Sequence, residues 1–76
     1  MTNNDILRRI RYTFDLKDRS MVEIFSLADF NATREQVAAW LKKEDDEDFL
    51  KLSGTELAVF LNGFINLKRG KRDGPQ

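Results

Sequence analysis

The chain has 76 residues, 41% hydrophobic and 34% charged, with 13 basic and 13 acidic side chains that cancel. It contains no cysteine and no histidine, which excludes disulfides, thiolate chemistry, zinc sites of the Cys/His type and any histidine general base. No apolar run approaches the ~20 residues that span a bilayer, and MTNNDILRRI lacks the hydrophobic core of a signal peptide. These features lead us to expect a cytoplasmic, non-enzymatic protein without cofactor or membrane contact, built as a single helical domain over 1–70 with 71–76 as a linker or disordered tail.

Four main helices and one short one are expected. Asn4 is a candidate N-cap with Asp5 in the first turn. Ile6, Leu7, Ile10 and Phe14 then share about a 100° arc, which predicts an amphipathic helix over 5–15. Tyr12 lies opposite that arc. Asp18 is the next candidate cap, and Met21, Val22, Ile24, Phe25 and Ala28 share one face of a helix over 19–29.

Residues 31–33 form a turn. Thr33 with Gln36 makes a capping box for a helix over 34–43, in which Val37, Trp40 and Leu41 face inward and Lys42 and Lys43 suit the negative end of the helix dipole. Asp45 or Asp46 is expected to cap a short helix that turns Phe49, Leu50 and Leu52 inward. Ser53 and Glu56 form another capping box, opening a helix that runs to Lys68 and stops at Gly70.

This last helix is apolar over a wide arc: Leu57, Ala58, Phe60, Leu61, Phe64, Ile65 and Leu67. That pattern predicts packing on several sides at the centre of the domain. Gly63 costs ~1 kcal/mol of helix propensity, which hints at a close helix approach. Asn62 and Asn66 are read either as buried polar anchors between subunits or as a solvent strip. No β-alternation of useful length is present. The expected fold is therefore all-α, a compact bundle containing a helix-turn-helix-like pair.

That pair, LADFNATREQVAAWL from Leu27 to Leu41, is similar to the second and third helices of a homeodomain. The shared features serve packing: alanine allows close approach, Thr33 caps, and Val37 and Trp40 wedge into the core. The similarity stops where DNA would be read. A homeodomain continues with basic residues and an adenine-reading asparagine, whereas this chain continues KKEDDEDF. Five consecutive carboxylates repel phosphate, and Ala38 and Ala39 read almost nothing in a groove. The pair is expected to be scaffold.

Two charged segments remain as candidate sites. Glu44, Asp45, Asp46, Glu47 and Asp48 form a candidate acidic interaction loop. Consecutive side chains diverge, and EF-hand spacing from Asp46 would place Leu50 at a ligand position and Lys51 at the glycine, so no metal site is expected. Arg8, Arg9 and Arg11, with Lys68, Arg69, Lys71 and Arg72, form a candidate basic surface if the first and last helices lie side by side.

The segments NDILRRIRY (Asn4–Tyr12), VAAWLKKEDDEDF (Val37–Phe49) and ELAVFLNGFINLKRGK (Glu56–Lys71) closely resemble the bacterial YehS-like family, a domain of unknown function. The resemblance implies a unit that occurs in tandem, of which this chain is the first copy, and supplies no activity, ligand or catalytic residue. The expected function is a helical protein–protein interaction or self-association module whose partner is another protein or a second copy of itself, a homodimer. The alternative is a nucleic-acid-associated regulator that binds through the basic residues of the first and last helices.

Overall fold

Capping chemistry sets the start of three of the four helices in the computed structural model, which describes residues 1–69. The helices are α1 (Asn3–Thr13), α2 (Asp18–Ser26), α3 (Arg34–Leu41) and α4 (Gly54–Lys68). Thr2 with Asp5, Thr33 with Gln36 and Ser53 with Glu56 each close a reciprocal capping box that satisfies two otherwise free amides. No strand occurs among the described residues, and the fold is all-α.

Several sequence expectations give way here. The cap of α1 is Thr2 and not Asn4, because Asn4 is buried and its side chain is committed to the core side. Lys17, not Asp18, occupies the N-cap of α2 and offers no side-chain bond, while Asp18 sits in the first turn. Helix α2 ends at Ser26 and α3 at Leu41, both earlier than their apolar patterns suggest. Lys42 and Lys43 therefore lie beyond α3.

The stops of α1 and α2 have a local cause. Asp15 and Asp29 adopt left-handed backbone, with φ of 52° and 62°. After α1 the Leu16 amide donates to the Arg11 carbonyl at 2.9 Å and Asp15 to Tyr12 at 3.3 Å. After α2 the Phe30 amide donates to Phe25 at 3.1 Å and Asp29 to Ser26 at 2.9 Å. Both are Schellman closures, with aspartate standing where glycine is commonest.

The short helix expected between α3 and α4 is not formed. Residues 43–52 make turns and extended chain instead. Asp46 caps a turn rather than a helix: its amide donates to Lys43 at 3.0 Å, and its carboxylate accepts from the Asp48 amide at 2.8 Å. Of the three residues expected inward, Leu52 is fully buried, Phe49 is half-buried and Leu50 is exposed.

Phe25 is the hub of the core. Its ring lies 5.3 Å from Phe30, 5.2 Å from Trp40 and 5.1 Å from Phe60. Leu7, Met21, Ile24, Ala32, Val37, Leu52 and Leu57 complete the buried cluster. Trp40 is core, as its place on the apolar face of α3 implies.

Two polar side chains lock the helices to this core. The Asn4 amide group donates to the carbonyls of Trp40 and Leu50, each at 2.9 Å, and its oxygen accepts from the Leu52 amide at 2.9 Å. One buried asparagine thus ties α1 to the end of α3 and to both sides of Lys51. Asn66 donates to the Leu27 carbonyl at 3.0 Å, joining α4 to α2. Next to it, Gly63 is buried against Ile24, the close approach that its cost in propensity foreshadowed.

Helices α1 and α4 run side by side in the same direction. At their starts, Asn3 donates to the Leu52 carbonyl at 3.2 Å, just before Gly54. At their ends, the Phe14 and Phe64 rings meet edge to face at 4.8 Å. This parallel pairing sets Lys68 beside the end of α1 and the start of α4 beside the start of α1.

Candidate functional site

The acidic segment lies at the end of the molecule where α1 and α4 begin. The Leu50 amide returns to the Ala39 carbonyl at 3.1 Å, which closes the loop against α3. Glu44, Asp45, Asp46, Glu47 and Asp48 are all exposed, and none makes an ion pair among the described residues. Within those residues no group of three or more acidic side chains converges in a way that could hold a metal ion.

The candidate basic residues separate. Arg8 turns toward α3, donating to the Lys42 carbonyl at 2.7 Å and pairing with Asp5. That carbonyl lies just past the negative end of α3, so Arg8 serves its dipole in place of Lys42 and Lys43. Arg9 is exposed on the outer face of α1, next to Tyr12, which is 87% exposed. Arg11 turns to α2, 3.8 Å from Asp18.

Lys68 lies over the rings of Phe14 and Phe64, 5.2 and 5.6 Å from their centres, a cation–π seat at the far end of α4. Arg69 caps α4 beside it. Lys71 and Arg72, with the expected tail 71–76 and the stop at Gly70, lie outside the described residues. The structure therefore brings Lys68 to the end of α1, but toward Phe14 rather than the arginines.

Two groupings were not visible in the sequence reading. A cleft between α1, α2 and α3 is lined by Arg11, Lys17, Asp18, Arg19, Ser20 and Arg34. Its cations are scattered over 24 positions of chain, from Arg11 to Arg34, so only the tertiary fold assembles them.

The other grouping is apolar. Helix α4 is not covered on all sides, as its wide apolar arc had suggested. Leu57, Phe60 and Gly63 are buried, whereas Leu61 is 38% exposed and Ile65 51%. Phe14, expected inside, is 46% exposed at the edge of the same surface. The signal that could have shown this was the arc itself: a bundle of four short helices has too few neighbours to cover a helix all round.

Gly54, Ala58, Leu61, Ile65 and Lys68 follow one another at spacings of four and three residues along α4. That is the repeat of a coiled-coil seam. Apart from Gly54 and Ala58 at its start and Lys68 at its end, the seam is aliphatic. Chemically the surface offers shape and hydrophobic contact.

No helix among the described residues is long and apolar enough to cross a membrane. The chain is similar to the uncharacterized protein YehS of Escherichia coli (strain K12), with 46% identity over 71 residues. The match covers 93% of this chain and 46% of the relative, so the chain spans about half the length of that protein. No solved structure gives a significant match. The family model described as "Protein of unknown function (DUF1456)" matches residues 3–70, and the chain belongs to that family.

Proposed function

We propose that this domain is a non-catalytic, cytoplasmic helical interaction module that docks another protein through the exposed face of α4. The observation that carries the reading is the pair Leu61 and Ile65, large aliphatic side chains on one line of a helix whose other side is the core. Single exposed apolar residues are ordinary. A spaced line of them with an aromatic residue at its edge marks a contact surface. The longer relative also leaves room in one polypeptide for a second unit of this size.

Sedimentation equilibrium of the purified chain, with and without Ile65→Glu, tests the proposal. Concentration-dependent association by the parent chain and its loss in the variant are expected. Strict monomers at millimolar chain concentration, or association that Ile65→Glu leaves unchanged, would count against it.

A second reading, polyanion binding, is favoured by the cleft where Arg11, Lys17, Arg19 and Arg34 meet around the single carboxylate of Asp18. It retains Arg11 from the expected basic surface and draws its other cations from α2, α3 and the link before α2. Fluorescence polarisation with duplex and single-stranded DNA tests it. Binding that weakens steeply with salt and disappears in Arg19→Glu supports nucleic-acid contact, and no binding at low salt removes it.

A further inference from the structure

The length of α4 separates the two strongest charge runs of the chain. The acidic loop Glu44–Asp48 precedes α4, and the chain leaving it is held by Asn4 at Leu50 and by Asn3 at Leu52, at the end where α1 and α4 start. Lys68 and Arg69 stand where it ends. Fifteen helical residues intervene, a length of about 22 Å at 1.5 Å per residue. The opposite charges therefore cannot meet within one molecule. They lie toward opposite ends of α4, along which the exposed apolar line runs.

From this arrangement we infer that the occupant of the α4 face is the same face of a second copy, laid antiparallel across a two-fold axis near Leu61. The inference rests on the interaction-module reading above and fixes its partner and direction. Leu61 is the middle residue of α4, with Gly54 and Lys68 each seven residues away and Ala58 and Ile65 three and four away, so the line is close to symmetric about it. A two-fold contact requires a self-complementary surface of this kind. Placed antiparallel, Leu61 meets its own equivalent, and Ile65 falls within one residue of the small Ala58 of the second copy. Lys68 arrives over Gly54 of the second copy, where the absence of a side chain leaves room: a Cβ built there has only Asn3 within 4.0 Å.

Charge selects the direction. Antiparallel pairing sets the Lys68–Arg69 end of each copy beside the end of the other that carries Glu44–Asp48, and does so twice. Parallel pairing would set basic against basic and acidic against acidic. The macrodipoles of two adjacent helices also favour the antiparallel arrangement. Neither Lys68, Arg69 nor any of the five carboxylates has an ion partner among the described residues of one copy. The seam is short, so the pairing is weak and dynamic, and its electrostatic part weakens as salt rises.

The chain has no native cysteine, which makes disulfide trapping a clean test. Gly54→Cys and Lys68→Cys chains are prepared separately, then mixed under oxidised glutathione, with circular dichroism confirming that each is folded. Rapid crosslinking in the mixture and at least tenfold slower crosslinking in either chain alone is the expected result. Sedimentation of the parent chain should show association that weakens with added sodium chloride and weakens about tenfold in Lys68→Glu.

Fast crosslinking of Lys68→Cys with itself would mean parallel pairing and would overturn the direction while leaving the module reading intact. Association with no crosslink in any combination would place the contact elsewhere and overturn the inference. A chain that stays monomeric throughout would remove both the inference and the reading it rests on.

Discussion

Gly63 lies directly against the carbonyl of Ile24: a Cβ at Gly63 would stand 1.8 Å from that oxygen and 2.8 Å from its carbon. The obstacle is backbone, which cannot rotate aside. Gly63→Ala gains ~1 kcal/mol of helix propensity, but α4 must shift away from α2. That shift strains the Asn66–Leu27 bond and the Phe25–Phe60 contact. Overpacking therefore dominates, and we expect a net loss of about 3 kcal/mol, measured by urea denaturation. An alanine variant as stable as the parent would contradict this packing.

Asn4 should be nearly irreplaceable. Asn4→Ala leaves the Leu52 amide and the Trp40 and Leu50 carbonyls without their partner. The expected loss is roughly 3 kcal/mol, because unsatisfied buried groups keep their desolvation cost. Asn4→Asp is the sharper probe. An ionised carboxylate still accepts from Leu52 but cannot donate to two carbonyls. That variant should be less stable at neutral pH than under mildly acidic conditions, where its carboxyl can donate again. Equal stability of Asn4→Asp at both would argue against the three-bond geometry.

Asp29 occupies left-handed backbone at φ 62°, a region that costs most side chains about 1 kcal/mol or more and glycine little. Asp29→Gly should therefore raise stability by about 0.5–1 kcal/mol, while Asp29→Val should lower it by more than that. Thermal melts of the two variants in opposite directions from the parent would confirm the Schellman closure after α2.

Thr33→Ala should cost about 1 kcal/mol. The Thr33 hydroxyl accepts from the Gln36 amide at 3.0 Å, and the Gln36 side chain accepts from the Thr33 amide at 2.9 Å. Helix α3 has only 8 residues and depends on its cap more than a long helix does. Thr33→Ser should retain most of the stability, because the hydroxyl remains. Chemical denaturation of both variants checks this.

Asp5 gives the fold a defined acid sensitivity. The backbone amide of Thr2, donating at 3.0 Å, holds its carboxyl below the usual aspartate range; Arg8 and the Thr2 hydroxyl add to this, and partial desolvation opposes it. A depressed folded-state value means that Asp5 stabilises the fold above its unfolded value, near 3.9. That contribution is lost as pH falls through the lower folded value. Asp5→Asn keeps an acceptor but removes the titration. Its melting temperature should fall less than the parent's at strongly acidic pH, and identical acid limbs would exclude Asp5 as a contributor.

The sequence by itself determined the helical class, the Thr33 and Ser53 capping boxes and the core position of Trp40, and its Gly63 pointed to a close helix approach whose partner, Ile24, only the structure supplied. The boxes and the stripe follow from local spacing: a capping box spans four residues and an apolar stripe repeats with the helical turn, so both can be read without knowing any neighbour. Only the tertiary structure decided the rest. Asn4 looks like a cap but became a buried clamp, because its partners at Trp40, Leu50 and Leu52 are distant in sequence. The left-handed stops at Asp15 and Asp29 ended α1 and α2 early, and an aspartate there has no signature as clear as glycine's. Which side of α4 faces the core depended on how many helices were present to cover it. The distance between acidic loop and basic helix end follows from the length of α4, whereas the seat of Lys68 over Phe14 was fixed by the parallel course of α1 and α4, because direction between distant segments comes from packing and leaves no mark on local sequence.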